Sequence, residues 1–242
     1  MDDAIDFCAL SKRYGAQHAL RSVSFQVPAS STFGLVGLNG AGKTTLIKCL
    51  LDFVAPDDGE VRIFGLPAKQ AASRNRLAYL SERFIPPPHL TGLEYLEMMA
   101  TLYDVKATQQ ILECAAAAVD LDPPLLRRLT RAYSKGMGQK LGLAGLLMSE
   151  RPLLILDEPM SGLDPRARAM LKAALRAARA RGATVFFTSH ALTDIDELCD
   201  SCAVLHQGSV AYTGTAASLR AQSGAATLEE AFLHLIDGTS AA

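Results

Sequence analysis

Residues Gly37-Leu38-Asn39-Gly40-Ala41-Gly42-Lys43-Thr44 fit the pattern G-x-x-x-x-G-K-[ST] and stand between an apolar strand, Thr32 to Val36, and a helical run, Thr45 to Leu51. A chance glycine turn would not have that setting. A loop that turns into a helix N-terminus presents converging backbone N–H groups and the positive end of the helix dipole, and a triphosphate is the dense negative charge they match. The chain must therefore contain a sheet whose strands feed helices. Gly37, Asn39, Gly40, Ala41 and Gly42 form the cradle, and Lys43 supplies a cation for the β and γ phosphates. The Thr44 hydroxyl is a ligand for Mg²⁺, and Thr45 reaches the α phosphate.

Two further apolar runs of strand length, Leu153 to Leu156 and Ala183 to Thr188, read as members of a parallel sheet covered on both faces. The first ends in Asp157 and Glu158. As a parallel neighbour of the phosphate-loop strand it would deliver Asp157 to the Mg²⁺ shell, with Glu158 one residue beyond to accept a proton from an attacking water. His190, in Thr188-Ser189-His190, follows the other run at the carboxyl edge where a γ-phosphate would lie. Between the two runs Asp164 caps a helix, Pro165 opens it, Leu171, Leu175 and Ala178 face inward, and Gly182 stops it. Its outer face carries Arg166, Arg168, Lys172, Arg176, Arg179 and Arg181, which read as a solvated face rather than a lipid or nucleic-acid patch.

Upstream, Ala4 to Leu10 and Ala19 to Val27 are strands, and Gly59 to Phe64 adds another after the turn at Pro56-Asp57-Asp58-Gly59. Thr91-Gly92-Leu93-Glu94 has capping-box spacing, Leu90 and Tyr95 are placed as a hydrophobic staple, and Leu96, Met99 and Tyr103 continue one apolar face. A second helical stretch, Thr108 to Val119, leads to the break at Asp122-Pro123-Pro124, so Pro86 to Met148 reads as a helical insertion. Thr227-Leu228-Glu229-Glu230 opens a last helix through Ile236.

Composition narrows the partners. With 242 residues, 49% of them hydrophobic, a buried core is assured, and a formal charge of −1 lacks the basic excess that binding to a phosphate backbone requires. No stretch approaches the roughly 18 to 20 apolar residues of a membrane span, and the start, Met1-Asp2-Asp3, is acidic where a secretory signal is basic, so a cytosolic chain is expected. Cys8, Cys49, Cys114, Cys199 and Cys202 are an odd, scattered set of reduced thiols. The Cys199-Asp200-Ser201-Cys202 pair has no second Cys or His pair at zinc spacing, and ordinary buried thiols are expected there.

Three more segments carry a resemblance. Lys12-Arg13-Tyr14-Gly15, Ser134-Lys135-Gly136-Met137 and Ser161-Gly162-Leu163-Asp164, with the phosphate loop, Asp157-Glu158 and His190, resemble the nucleotide-binding subunit of ABC transporters along nearly the whole chain. The resemblance implies an α/β P-loop NTPase with a RecA-like core and mainly parallel sheet, an N-terminal antiparallel β subdomain and an inserted helical subdomain. The core would take residues 1–85 and 149–242, and the helical part 86–148.

It further implies that Tyr14 stacks on adenine, although a core tyrosine at a strand end fits the residue alone. Ser134 and Gly136, in the signature motif, would touch the γ-phosphate bound to the opposite protomer, and Asp164 would close the D-loop. ATP is then sandwiched between two chains head to tail, most simply in a homodimer with two composite sites. Glu158, His190, Lys43 and Glu82 are the candidate catalytic residues, and Thr44, Asp157 and Glu82 the Mg²⁺ ligands.

The chain departs from the family pattern twice. Where the signature usually reads Leu-Ser-Gly-Gly-Gln, Tyr133, Lys135 and Met137 replace Leu, the first Gly and Gln, with Gln139 two residues on. In the loop after Leu77 to Leu80, Glu82 holds the place of a glutamine and brings a negative charge toward the γ-phosphate. Both variants resemble the branch that works in export with separate membrane subunits, and the lack of a long C-terminal regulatory extension fits that expectation. Phe84, Ile85 and Pro86 to Pro88 either line a groove for a helix of the membrane permease, which would hold the chain at the inner face of the membrane, or form a linker whose apolar residues tuck inward.

The implied activity is an ATP-hydrolysing motor for transport. Two alternatives stand beside it. A soluble ABC-type ATPase of translation, DNA repair or chromosome organisation usually carries two motif sets, coiled coils or zinc modules, which this chain lacks. A non-enzymatic nucleotide-responsive subunit is disfavoured by the intact Lys43, Asp157, Glu158 and His190.

Overall fold

Alternation of inward apolar and outward polar residues folds the start of the chain into a hairpin. In the computed structural model, which describes residues 3–240, β1 (Asp3–Tyr14) and β2 (Gln17–Pro28) run antiparallel across the turn at Gly15. Met1 and Asp2 of the acidic start lie outside the described residues. β3 (Thr32–Val36) leaves for a second sheet, and α1 (Lys43–Leu50) follows the phosphate loop. β4 (Asp58–Ile63) returns to β1 with the short β5 (Leu66–Pro67) beside it, giving the order β2-β1-β4-β5. Buried rings bridge the two sheets, with centroids 4.6 Å apart for Phe7–Phe25, 5.5 Å for Phe25–Phe33 and 6.1 Å for Phe33–Phe186.

After α2 (Ala71–Arg74) and β6 (Leu77–Leu80) the helical part begins, with α3 (Gly92–Tyr103), α4 (Gln109–Ala117), two 3₁₀ turns (Pro123–Arg127 and Thr130–Ala132) and α5 (Lys135–Met148). The capping box forms as its spacing dictates. Thr91 Oγ1 accepts the Glu94 N–H at 3.2 Å, and Glu94 Oε2 accepts the Thr91 N–H at 2.7 Å. Leu96, Leu112, Leu126 and Leu141 are buried together. Gly142 lets α5 close on the loop that follows β6, since a Cβ there would stand 2.6 Å from Phe84 Cδ1.

β7 (Leu153–Leu156), α6 (Pro165–Ala180), β8 (Thr184–Ser189), α7 (Leu192–Leu198), β9 (Ser201–His206), β10 (Ser209–Gly214), α8 (Ala216–Ser223) and α9 (Leu228–Ser240) complete the chain. The second sheet has the order β10-β9-β3-β8-β7-β6, parallel except for β10. This corrects one expectation: β7 is not the neighbour of β3, because β8 lies between them. Phe33 pairs with Phe186, and Leu153 pairs with Thr184 on the other side of β8. β7 pairs instead with β6, its predecessor in the chain, and the later crossover through α6 returns β8 into the gap.

On the outer face of α6, Arg166, Arg176, Arg179 and Arg181 are exposed as expected, while Arg168 and Lys172 are half-buried, and ion pairs run along the face. Arg166 meets Asp120 at 3.0 Å, Arg168 meets Asp194 at 2.9 Å, Lys172 meets Glu197 at 2.6 Å and Arg179 meets Asp200 at 2.8 Å. Of the cysteines, Cys49 and Cys202 are buried, Cys199 is half-buried, and Cys8 and Cys114 are exposed. Burial pushes the Cys49 and Cys202 thiols up to about 11, which leaves them protonated and inert at neutral pH. No described helix is long and apolar enough to cross a membrane.

Candidate functional site

The carboxyl ends of β3, β8 and β7 open onto a cleft of about 550 Å³ whose floor is the loop Gly37 to Thr45. Gly42 caps α1 at φ +110°, a left-handed conformation, and a Cβ there would stand 2.5 Å from the Ala19 carbonyl oxygen. Only glycine lets the loop turn that tightly into the helix. Lys43 is buried, and its Nζ donates to the Gly37 oxygen at 2.6 Å and the Leu38 oxygen at 3.3 Å. Glu158 Oε1 lies 3.9 Å from the same ammonium. The charge is thus centred in the loop, beneath the N–H groups that open α1.

Opposite the loop, one hydroxyl organises the two carboxylates. Thr188 Oγ1, at the end of β8, donates to Asp157 Oδ1 at 2.6 Å and accepts the Glu158 N–H at 2.8 Å. Asp157 is 4% exposed, and its own N–H donates to the Leu80 oxygen at 2.9 Å. Burial pushes its carboxyl above the usual range; Glu158 and Glu82 add to that rise, while Thr188 and Lys43 oppose it. Glu158 holds a positive φ of 49°, an uncommon conformation for a side-chain-bearing residue. Its Oε2 lies 2.8 Å from His190 Nδ1 and 3.3 Å from the His190 backbone N–H.

The donor set fits Mg²⁺. Among the described residues no three His, Cys, Asp or Glu side chains converge as a metal cage. Mg²⁺ needs none, because it keeps waters and takes phosphate oxygens beside one or two protein ligands. Asp157, a buried carboxylate whose burial disfavours its charge, shares the cleft with the Thr44 hydroxyl and Glu82, all hard oxygen donors.

Tyr14, 49% exposed at the end of β1, lines the same cleft and is not a core residue. Gly37, Asn39, Gly40, Ala41, Thr44 and Thr45 line it too. Ser134, Gly136 and Asp164 do not. Ser134 is exposed and caps α5, its Oγ accepting the Met137 N–H at 3.2 Å, and a Cβ on Gly136 would stand 3.5 Å from the Gly162 oxygen. Asp164 caps α6, its Oδ1 accepting the Ala167 N–H at 2.9 Å, and meets Lys140 at 3.4 Å.

Of the departures at the signature, Tyr133 and Met137 are half-buried and Lys135 is exposed. The Tyr133 hydroxyl donates to the Leu125 oxygen at 2.8 Å, and Gln139 is 5% exposed. In the loop after β6 the two readings divide by residue, with Phe84 and Pro86 tucked in and Ile85 82% exposed. Sequence reasoning passed over Thr188, Gln17, Ser161 and Phe232 as site residues, although each belongs to the cleft or to its carboxylates. Thr188 and Ser161 lay inside segments already singled out, and Gln17 follows Tyr14 across the turn. Nothing near Phe232 in sequence marks it.

The family model described as ABC transporter matches residues 20–161. An ABC transporter ATP-binding protein of Nostoc sp. is 39% identical over 204 residues, covering 81% of this chain and 60% of that protein, so the chain spans about three fifths of its length. The Nod factor export ATP-binding protein I of Paraburkholderia xenovorans is 35% identical over 217 residues, covering 85% of this chain and 68% of that one. A solved structure of an ATP-binding subunit of an ABC transporter superposes with a TM-score of 0.87 at 33% identity, covering 96% of this chain and 99% of the other.

Proposed function

This chain belongs to the ABC transporter family as an ATP-binding subunit, and from that premise we propose that two copies close head to tail around two ATP molecules and hydrolyse them to drive transport through a separate membrane subunit. The observation that carries this reading is the division of the motif residues. The phosphate loop, Asp157, Glu158 and His190 share one cleft, whereas Ser134, exposed, and Gly136, half-buried, sit at a helix tip that lines no part of it. The N-terminus of a helix favours an anion, and a second copy's γ-phosphate supplies one.

Within each cleft Lys43 and the loop N–H groups bind the phosphates, and Tyr14, open at the rim, stacks on the base. Thr44, Asp157 and Glu82 would hold Mg²⁺, which when bound neutralises charge on the β and γ oxygens. Glu158 takes a proton from the attacking water, and His190, at 2.8 Å from its carboxylate, keeps that carboxylate aimed at the γ-phosphate. The extra carboxylate of Glu82 raises the negative charge near the same phosphate and slows turnover.

Residues 86–148 form the helical part that carries the signature, and 1–85 with 149–242 form the core that carries the cleft. Ile85, exposed beside the stiff run Pro86 to Pro88, fits a docking point for the membrane permease, which would place the chain at the inner face of the membrane. The export label of the Paraburkholderia relative supports outward transport.

Steady-state hydrolysis by the purified full chain tests the composite site. Activity per chain is expected to rise with chain concentration, because each site needs residues of two copies. Hydrolysis that is measurable yet strictly proportional to chain concentration, in a protein that stays monomeric with ATP, would rule out the shared site.

A further inference from the structure

The imidazole of His190 is 66% exposed, so packing does not hold it in place beside Glu158. Its position is set by the chain it rides on. Directly before it, Ser189 Oγ donates to the Ala191 oxygen at 3.2 Å and accepts the Ala191 N–H at 3.0 Å, which spans His190 and fastens the segment to the start of α7. α7 has no side-chain cap at Ala191.

Charge fixes that helix instead. Asp194, in the first turn of α7, is 1% exposed, and Arg168 Nη2 donates to its Oδ2 at 2.9 Å. Lys172 Nζ lies 2.8 Å from Oδ1, an ion-pair contact without hydrogen-bond alignment, and also meets Glu197 Oε2 at 2.6 Å. Arg168 and Lys172 stand four residues apart on one face of α6, the helix that Asp164 opens. Burial pulls the Lys172 ammonium down, but Asp194 and Glu197 outweigh it and hold its pKa above the ordinary value, so the cation persists. On the far side of α7, Arg220 of α8 meets Asp196 at 2.6 Å.

A buried carboxylate with two cations adds little stability over an apolar contact of the same size, so its role here is sought in the arrangement of the two helices it joins. We propose that Arg168, Lys172 and Asp194 form a clamp between α6 and α7 that positions His190 against Glu158. None of the three residues lines the cleft, so they act as positioning residues. The inference rests on the proposed role of Glu158 in hydrolysis.

Steady-state hydrolysis by the full chain, compared for Arg168→Leu, Arg168→Lys and Asp194→Asn with Glu158→Gln alongside, tests it. The Arg168 side chain is 38% exposed and Lys172 still faces Asp194 without it, so Arg168→Leu is the milder variant beside Asp194→Asn. Misplacing a catalytic pair lowers turnover rather than ground-state binding, so Arg168→Leu is expected to cut kcat by about 10-fold with KM for ATP held within about 2-fold. Arg168→Lys should restore most of that loss, because a single contact to Oδ2 asks only for a point charge. A wild-type kcat in Arg168→Leu, a loss carried mainly by KM, or one that Arg168→Lys leaves unrepaired overturns the clamp. If Glu158→Gln turns over as fast as the unaltered chain, the role of Glu158 is what fails; if it is inactive while Arg168→Leu is fully active, the clamp alone fails.

Discussion

Glu158→Gln is expected to lower ATP hydrolysis by about 100-fold or more, the usual contribution of a general base, while ATP binding is kept or tightened. Glutamine has nearly the same shape, its amide oxygen still accepts from His190, and the backbone bond from residue 158 to Thr188 Oγ1 is untouched. What disappears is the oxygen that takes the proton. The substitution also removes a negative charge 3.9 Å from Lys43, on the side of the cleft where the γ-phosphate brings more of the same sign. A loss confined to kcat, with KM unchanged or lower, is the mark of an interaction made in the transition state. Turnover equal to that of the unaltered chain would remove Glu158 from the role.

Lys43→Ala acts on the other term. ATP affinity is expected to fall by about 10- to 100-fold, the range for losing charge-assisted hydrogen bonds to a phosphate. The loss has two sources. Alanine takes away the cation for the β and γ phosphates, and it also frees the Gly37 and Leu38 oxygens that Nζ now holds at 2.6 and 3.3 Å, so the cradle loosens. Nucleotide titration by calorimetry measures the effect, and unaltered affinity would contradict the assignment of the loop.

These two residues were legible because their chemistry is local in sequence. The loop 37–45, the strand-end pair Asp157-Glu158 and the cap at Asp164 are all short patterns whose backbone setting follows from the apolar runs beside them. The cap, the capping box at Thr91 and the buried runs of β3, β7 and β8 formed as their spacing requires.

What was not legible depends on contacts across the sheet. Strand order is a tertiary property, so nothing in Leu153 to Leu156 reveals that β8 separates it from β3, nor that Thr188 would then reach both carboxylates. Which cations of α6 are paired was hidden because helical periodicity identifies the outward face but not what lands on it. Asp194 and Glu197, which pair with them, lie on a separate helix beyond β8. Phe84, Ile85 and Pro86 alternate in and out within a proline-rich loop that has no period to read. Phe232 reaches the cleft from α9, after the last strand of the sheet.

A crystal structure of the Glu158→Gln chain grown with ATP and Mg²⁺ examines the shared site most directly. The expected result is a symmetric pair in which Ser134 Oγ and the Gly136 N–H stand about 3 Å, hydrogen-bond distance, from the γ-phosphate of the nucleotide that rests on the other copy's loop of residues 37–45. Two occupied clefts with Ser134 and Gly136 turned to solvent, each nucleotide contacted by one chain alone, would contradict it.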